Sequence, residues 1–107
     1  MEILHFKIED NLGRLKVFFS NGSILYVYYN NYDEYAYQIV FSSSPLDRIR
    51  FDSMDAKWDV ESKPNHFHPR FTKEAFESPM LGEPSTDMRK LCSLIQEGKV
   101  KSQDFRF

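Results

Sequence analysis

The residues with the most chemical potential lie in the middle of the chain, at His66-Phe67-His68. In an extended segment, residues two apart point to the same side, so both imidazoles would share a face, with Arg70 beside them. Such a set has three uses. Neutral imidazoles can bind a transition metal, with Asp52, Asp55 or Asp59 as a third ligand. They can serve as acid and base for RNA phosphodiester cleavage, with arginines stabilising the charged phosphorane. Or they can hydrogen-bond to the backbone and fix an irregular loop. An HxH pair with no third ligand at a set spacing does not choose among these. The second candidate is Arg48-x-Arg50-x-Asp52, three residues on the face opposite Ile49 and Phe51. It reads either as a solvated outer face with an internal ion pair, or as a cationic stripe for phosphate, with Asp52 orienting an arginine or histidine.

The tyrosines Tyr26, Tyr28, Tyr29, Tyr32, Tyr35 and Tyr37 could stack bases beside basic residues. Most fall on the expected apolar strand face, where they suit a core with a polar tip; only Tyr29 or Tyr32 is expected to be free for a ligand. Cys92, between Leu91 and Leu94, is expected to be a buried, inert thiol. The sequence has no Gly-rich phosphate loop, nucleophile elbow or zinc-protease helix motif.

These residues must be positioned by a small fold. A chain of 107 residues accommodates one domain, 1–107, and an apolar share of 41% is too high for disorder. Ten Phe and six Tyr favour strands. Fourteen Lys and Arg against sixteen Asp and Glu give a formal net charge of -2, which argues against bulk binding to nucleic acid but leaves room for a local basic patch. A lone cysteine excludes an internal disulfide and fits a reducing, cytoplasmic setting. The first residues have no basic n-region, so no signal peptide is expected, and no apolar run is long enough for a membrane span.

The strongest local signal is Asn21-Gly22, the favoured pair for a two-residue hairpin turn. Turning there, Phe19 would face Ile24, Val17 would face Tyr26 and Leu15 would face Tyr28, all six on a core face. Arg14, Lys16, Phe18, Leu25, Val27 and Tyr29 would lie on the other. Further strands are expected at 2–9, 34–42 and 46–53, with Tyr35, Tyr37, Ile39 and Phe41 sharing a face and Ile49 and Phe51 inward. Trp58 and Val60 could form a short strand; His66 to Arg70 reads as extended, and 71–76 as another short strand. The helix is expected from Ser85 to Glu97, capped by Ser85 or Thr86, with Asp87 in its first turn and Gly98 as its stop. Phe105 and Phe107 should dock. The expected architecture is α+β: a curved antiparallel meander of five to seven strands with one C-terminal helix packed on a sheet face.

The order of motifs is a further guide. Tyr35-Ala36-Tyr37-Gln38-Ile39-Val40-Phe41, then Arg48-Ile49-Arg50-Phe51-Asp52, then His66-Phe67-His68-Pro69, then Glu77-Ser78-Pro79 and a closing helix resemble the TumE-like family over residues 26–97. These small proteins are encoded beside an antitoxin and regarded as toxins. The resemblance implies a genetic setting and marks Arg50, Asp52, His66 and His68 as the shared site. The longer segment from Ser53 to Asn65 and the presence of only two clustered histidines depart from the family's pattern.

Two functions follow. The first is a toxin-like protein directed at RNA, a metal-independent ribonuclease without a cofactor. Its catalytic residues would be His66, His68, Arg50 and Asp52, its phosphate-binding residues Arg48 and Arg70, and its partners RNA and an antitoxin. The second is a noncatalytic interaction module, because the mixed hairpin face is too apolar for water unless the helix, a partner or a second copy covers it.

Overall fold

The computed structural model describes residues 1–55, 57–105 and 107. Among them, seven strands form one antiparallel sheet in sequence order: β1 (Ile3–Glu9), β2 (Arg14–Phe19), β3 (Ile24–Tyr29), β4 (Tyr35–Val40), β5 (Arg48–Asp52), β6 (His66–His68) and β7 (Phe76–Glu77). The sheet is open, with β1 and β7 at its two edges. A single α-helix, α1 (Pro84–Glu97), follows, and no helix among the described residues is long and apolar enough to cross a membrane. The α+β meander with a C-terminal helix is thus as expected. The anticipated curvature is not a clear feature of the sheet.

The β2–β3 hairpin turns one residue differently from the sequence expectation. Gly22 N donates to Phe19 O at 3.0 Å and Phe19 N to Ser23 O at 3.0 Å, so the loop holds three residues, Ser20, Asn21 and Gly22. Gly22 sits at φ +90°, the left-handed position of a bulged three-residue turn. The register becomes Phe18↔Ile24, Lys16↔Tyr26 and Arg14↔Tyr28. A one-residue slip inverts every side chain of the second strand. Leu25 and Val27 therefore enter the core with Val17 and Phe19, while Tyr26 and Tyr28 join Arg14, Lys16 and Phe18 on the opposite face. The expected core face of β3 is the outer one.

Downstream the pattern holds. Tyr35, Tyr37, Ile39, Ile49, Phe51 and Phe67 are buried on one face, under Leu91 and Ile95 of α1 together with Met80 and Val100. Two carboxylates dock the helix. Glu83 caps it, accepting from Thr86 N at 2.8 Å, and Pro84 occupies the first turn, so the cap precedes the expected Ser85 or Thr86. Asp87 is fully buried and accepts from Leu81 N (3.0 Å), Gly82 N (2.7 Å) and the Tyr37 hydroxyl (2.7 Å). Tyr37 also shares a hydrogen bond with the Tyr29 hydroxyl at 2.6 Å. Tyr29 is therefore engaged against the core, not free for a ligand, and burial, first of all, raises the pKa of its hydroxyl. Phe105 and Phe107 dock against Phe67 as expected, with ring centroids 5.7 and 5.0 Å away. Cys92, by contrast, is exposed, because its position on α1 faces away from the sheet-side residues Leu91 and Ile95. Trp58 and Val60 form no strand, and of the expected 71–76 segment only Phe76 pairs, in β7 with Glu77; Phe71 takes a φ of +62°, which breaks an extended run.

Candidate functional site

The helix covers one face of the sheet, and the other carries the polar chemistry. Cross-strand pairing assembles it: Arg14↔Tyr28 and Lys16↔Tyr26 between β2 and β3, Tyr26↔Gln38 and Tyr28↔Ala36 between β3 and β4, Gln38↔Arg50 and Ala36↔Asp52 between β4 and β5, then Arg50↔His68 and Asp52↔His66. Two regions result. Over β2–β5 lies a cleft of about 510 Å³ lined by Arg14, Tyr26, Tyr28, Gln38, Arg50 and Met54, among others. Over β5–β6 the face is closed by Trp58, whose ring lies 5.3 Å from that of His68 and 6.1 Å from that of His66.

In the cleft the cations are already oriented. Arg14 Nε donates to Glu9 at 2.8 Å, which raises the guanidinium's affinity for its proton and lowers that of the Glu9 carboxyl. The Lys16 ammonium lies 5.4 Å from the centre of the Tyr26 ring and 5.2 Å from that of Phe18, within cation–π range. Arg50 Nε donates to Asp52 Oδ2, and its Nη1 reaches Gln38 Oε1 at 3.2 Å. Arg50 and Asp52 thus connect the open cleft to the closed corner.

In that corner the expected site residues converge. Asp52, His66 and His68 are all buried, and each brings a potential ligand atom within 4.8 Å of the others. His66 Nδ1 lies 3.0 Å from the Pro64 carbonyl, and His68 Nδ1 lies 3.1 Å from that of Glu74. Burial holds the His68 imidazole below its ordinary pKa, against the opposing pull of the Glu74 carbonyl and Asp52. His66 Nε2 approaches Asp52 Oδ1 to 2.6 Å but has no hydrogen-bond partner among the described residues, so this contact lacks a hydrogen bond's alignment.

The two expected phosphate-binding arginines are engaged by the protein itself. Arg48 spends its donors on the Pro69 and Thr72 carbonyls, at 2.7 and 2.9 Å, and burial lowers its pKa. Arg70 lies beyond the end of β6, so it does not share a strand face with the histidines. It pairs with Asp47 at 2.6 Å, donates to the Lys101 carbonyl, and stacks 4.4 Å from the Phe41 ring centre. Burial alone would raise the Asp47 carboxyl, but the hydrogen bonds from Ser42 and Arg70 and the Arg70 charge outweigh it and hold it low. The cleft residues that sequence reasoning missed are Arg14, Gln38 and the pair Tyr26 and Tyr28. For Tyr26 and Tyr28 the signal needed was the correct hairpin register; Arg14 and Gln38 were readable from alternation with their core neighbours.

Comparison of the chain with family models, with curated proteins and with solved structures finds no match.

Proposed function

We propose that this protein is RNA-directed and binds single-stranded RNA across the open sheet face, with the cleft between Arg14 and Arg50 as its centre. The observation that carries the reading is segregation. In a chain of net charge -2, Lys7, Arg14, Lys16, Arg48 and Arg50 fall on one sheet face with Tyr26 and Tyr28 between them, against Glu9 and Asp52. Guanidinium groups meet phosphates, and half-buried tyrosine rings offer sequence-tolerant stacking surfaces. The toxin-like setting implied by the TumE-like resemblance is compatible with such a target, and an antitoxin would be its partner there. The reading concerns binding. Acid–base cleavage by His66 and His68 would require a ribose to reach imidazoles that are 2% and 8% exposed and roofed by Trp58.

Fluorescence anisotropy with labelled oligoribonucleotides tests this. Binding should weaken with salt, and Tyr26→Ala and Tyr28→Ala should each weaken it about 5- to 150-fold, the cost of one lost stack. Arg50→Gln should lower the salt slope by about 0.7. No binding at low salt, or binding indifferent to all three variants, refutes the reading. Metal-independent cleavage abolished by His66→Ala with His68→Ala would instead restore the acid–base role.

A second reading rests on β1. Ile3, Leu4, Phe6 and Ile8 are 60–64% exposed on an edge strand whose outer backbone groups face no neighbouring strand among the described residues. Phe6 and Ile8 pair with Val17 and Leu15, so they extend the core face beyond the helix, beside an apolar groove formed with Val27, Tyr29 and Met88. We infer that a second copy pairs here. Antiparallel β1–β1 contact would set the same apolar residues of both copies against one another and continue one sheet through the dimer.

A further inference from the structure

We propose that Asp52, His66 and His68 form a binding site for a divalent transition-metal ion, with zinc(II) the chemical class that two imidazoles and one carboxylate suit best.

The hydrogen bonds of the two rings fix their protons. A backbone carbonyl only accepts, so the Nδ1 atoms facing Pro64 O and Glu74 O each carry a hydrogen. In the neutral rings Nε2 is then the lone-pair nitrogen of both histidines. A second ring nitrogen held by a carbonyl is the arrangement that orients metal-ligating imidazoles and raises their basicity. Asp52 is oriented in the same way: Oδ1 accepts from Met54 N at 3.1 Å, and Oδ2 from Arg50.

His66 Nε2 supplies the independent observation. It is 98% buried by residue, lacks a hydrogen-bond partner among the described residues, and faces a carboxylate oxygen at 2.6 Å. Two lone pairs at that separation repel unless a cation lies between them. In a tetrahedral site the donors aim at a common centre rather than at one another, so an oxygen off the ring nitrogen's axis is what such a centre requires. Bonds of about 2.0–2.1 Å would set donors about 3.3 Å apart. The observed 2.6 Å contact and the 4.8 Å limit of the cluster bracket that spacing. The scaffold is stiff, because Asp52 and His66 are direct partners across β5 and β6. The other acids weighed as third ligand stand apart: Asp55 and Asp59 are exposed and face Lys57 and Lys63. Three protein donors leave one position for water or a ligand oxygen, and Arg50 joins this corner to the cleft.

The test is a titration of untagged protein with zinc(II) and cobalt(II) alone, without RNA, so its outcome is independent of the RNA reading. One metal per chain is expected, with visible cobalt bands of a low-coordinate nitrogen–oxygen site and a rise in Tm of roughly 10 °C at 100-fold the Kd. Asp52→Asn, His66→Gln and His68→Gln should each weaken binding about 100-fold or more. Circular dichroism reports whether each variant folds; should none fold, the wild-type stoichiometry and cobalt spectrum decide alone. A flat titration with no cobalt bands overturns the proposal and leaves a proton shared by His66 and Asp52 as the bridging cation. Undiminished binding in the folded variants overturns it equally.

Discussion

Asp87→Ala should be among the most damaging substitutions in this protein. The Asp87 carboxylate is fully buried where α1 meets the sheet, and it accepts three hydrogen bonds, from Leu81 N, Gly82 N and Tyr37 Oη, at 2.7–3.0 Å. A net hydrogen bond to a charged group contributes about 1.5–3 kcal/mol, so three contribute about 4.5–9 kcal/mol. Against this stands the desolvation of the carboxylate, several kcal/mol, which alanine no longer incurs. The balance is a loss of about 3–4 kcal/mol, a large part of the roughly 5–15 kcal/mol that holds a domain of this size. With a urea slope of about 1.5 kcal/mol/M, the unfolding midpoint should fall by roughly 2 M at unchanged slope. Tyr37→Phe removes one donor and keeps the ring, and should cost about 1–2 kcal/mol. A double-mutant cycle with Asp87→Asn should return a coupling of about 1 kcal/mol or more. A cost below about 1 kcal/mol for Asp87→Ala, with the slope unchanged, would refute the claim that this carboxylate anchors the helix.

The remaining predictions concern the helix cap and the sheet edge. Glu83 is held down to about 2 by its hydrogen bonds to Thr86 and Ser85, below the ordinary 4.5. Its folded pKa is depressed, so its contribution is complete above about 4.5 and is lost as pH falls towards 2. Glu83→Gln should therefore be less stable than wild type at neutral pH, and the two urea midpoints should converge on acidification; a constant difference from pH 6 to pH 2 would contradict the cap. For β1, light scattering after size exclusion should report a dimer, and Phe6→Lys with Ile8→Lys should give a folded monomer. A wild-type monomer at high concentration would exclude self-pairing at β1.

Local information was enough for most of the sheet. Alternation marked Tyr35, Tyr37, Ile39, Ile49 and Phe51 as core, because a strand with one buried face must place its apolar residues two apart. The end of α1 was equally legible, since Gly98 provides the left-handed stop. The helix start was not. Ser85 and Thr86 are good caps by type, but Pro84 belongs in the first turn, and its preceding residue, Glu83, takes the cap.

What the sequence determined by itself is therefore the class of fold, the number of long strands, the helix and two separate same-face sets, Arg48, Arg50 and Asp52 in one and His66 and His68 in the other. These follow from periods of two and 3.6 along the chain, which need no partner to be read. Tertiary structure decided the rest. The β5–β6 pairing brought the two sets onto one face. One extra residue in the turn before β3 inverted that strand, and with it the choice between a tyrosine core and a tyrosine-lined open face. A loop tryptophan, distant from any motif, turned two accessible-looking histidines into buried ones. Carbonyls of Pro64 and Glu74 fixed where those rings keep their protons. Each decision depends on which groups meet across space, and on the cost of leaving a buried polar atom without a partner. Neither is written in the spacing of residues along the chain.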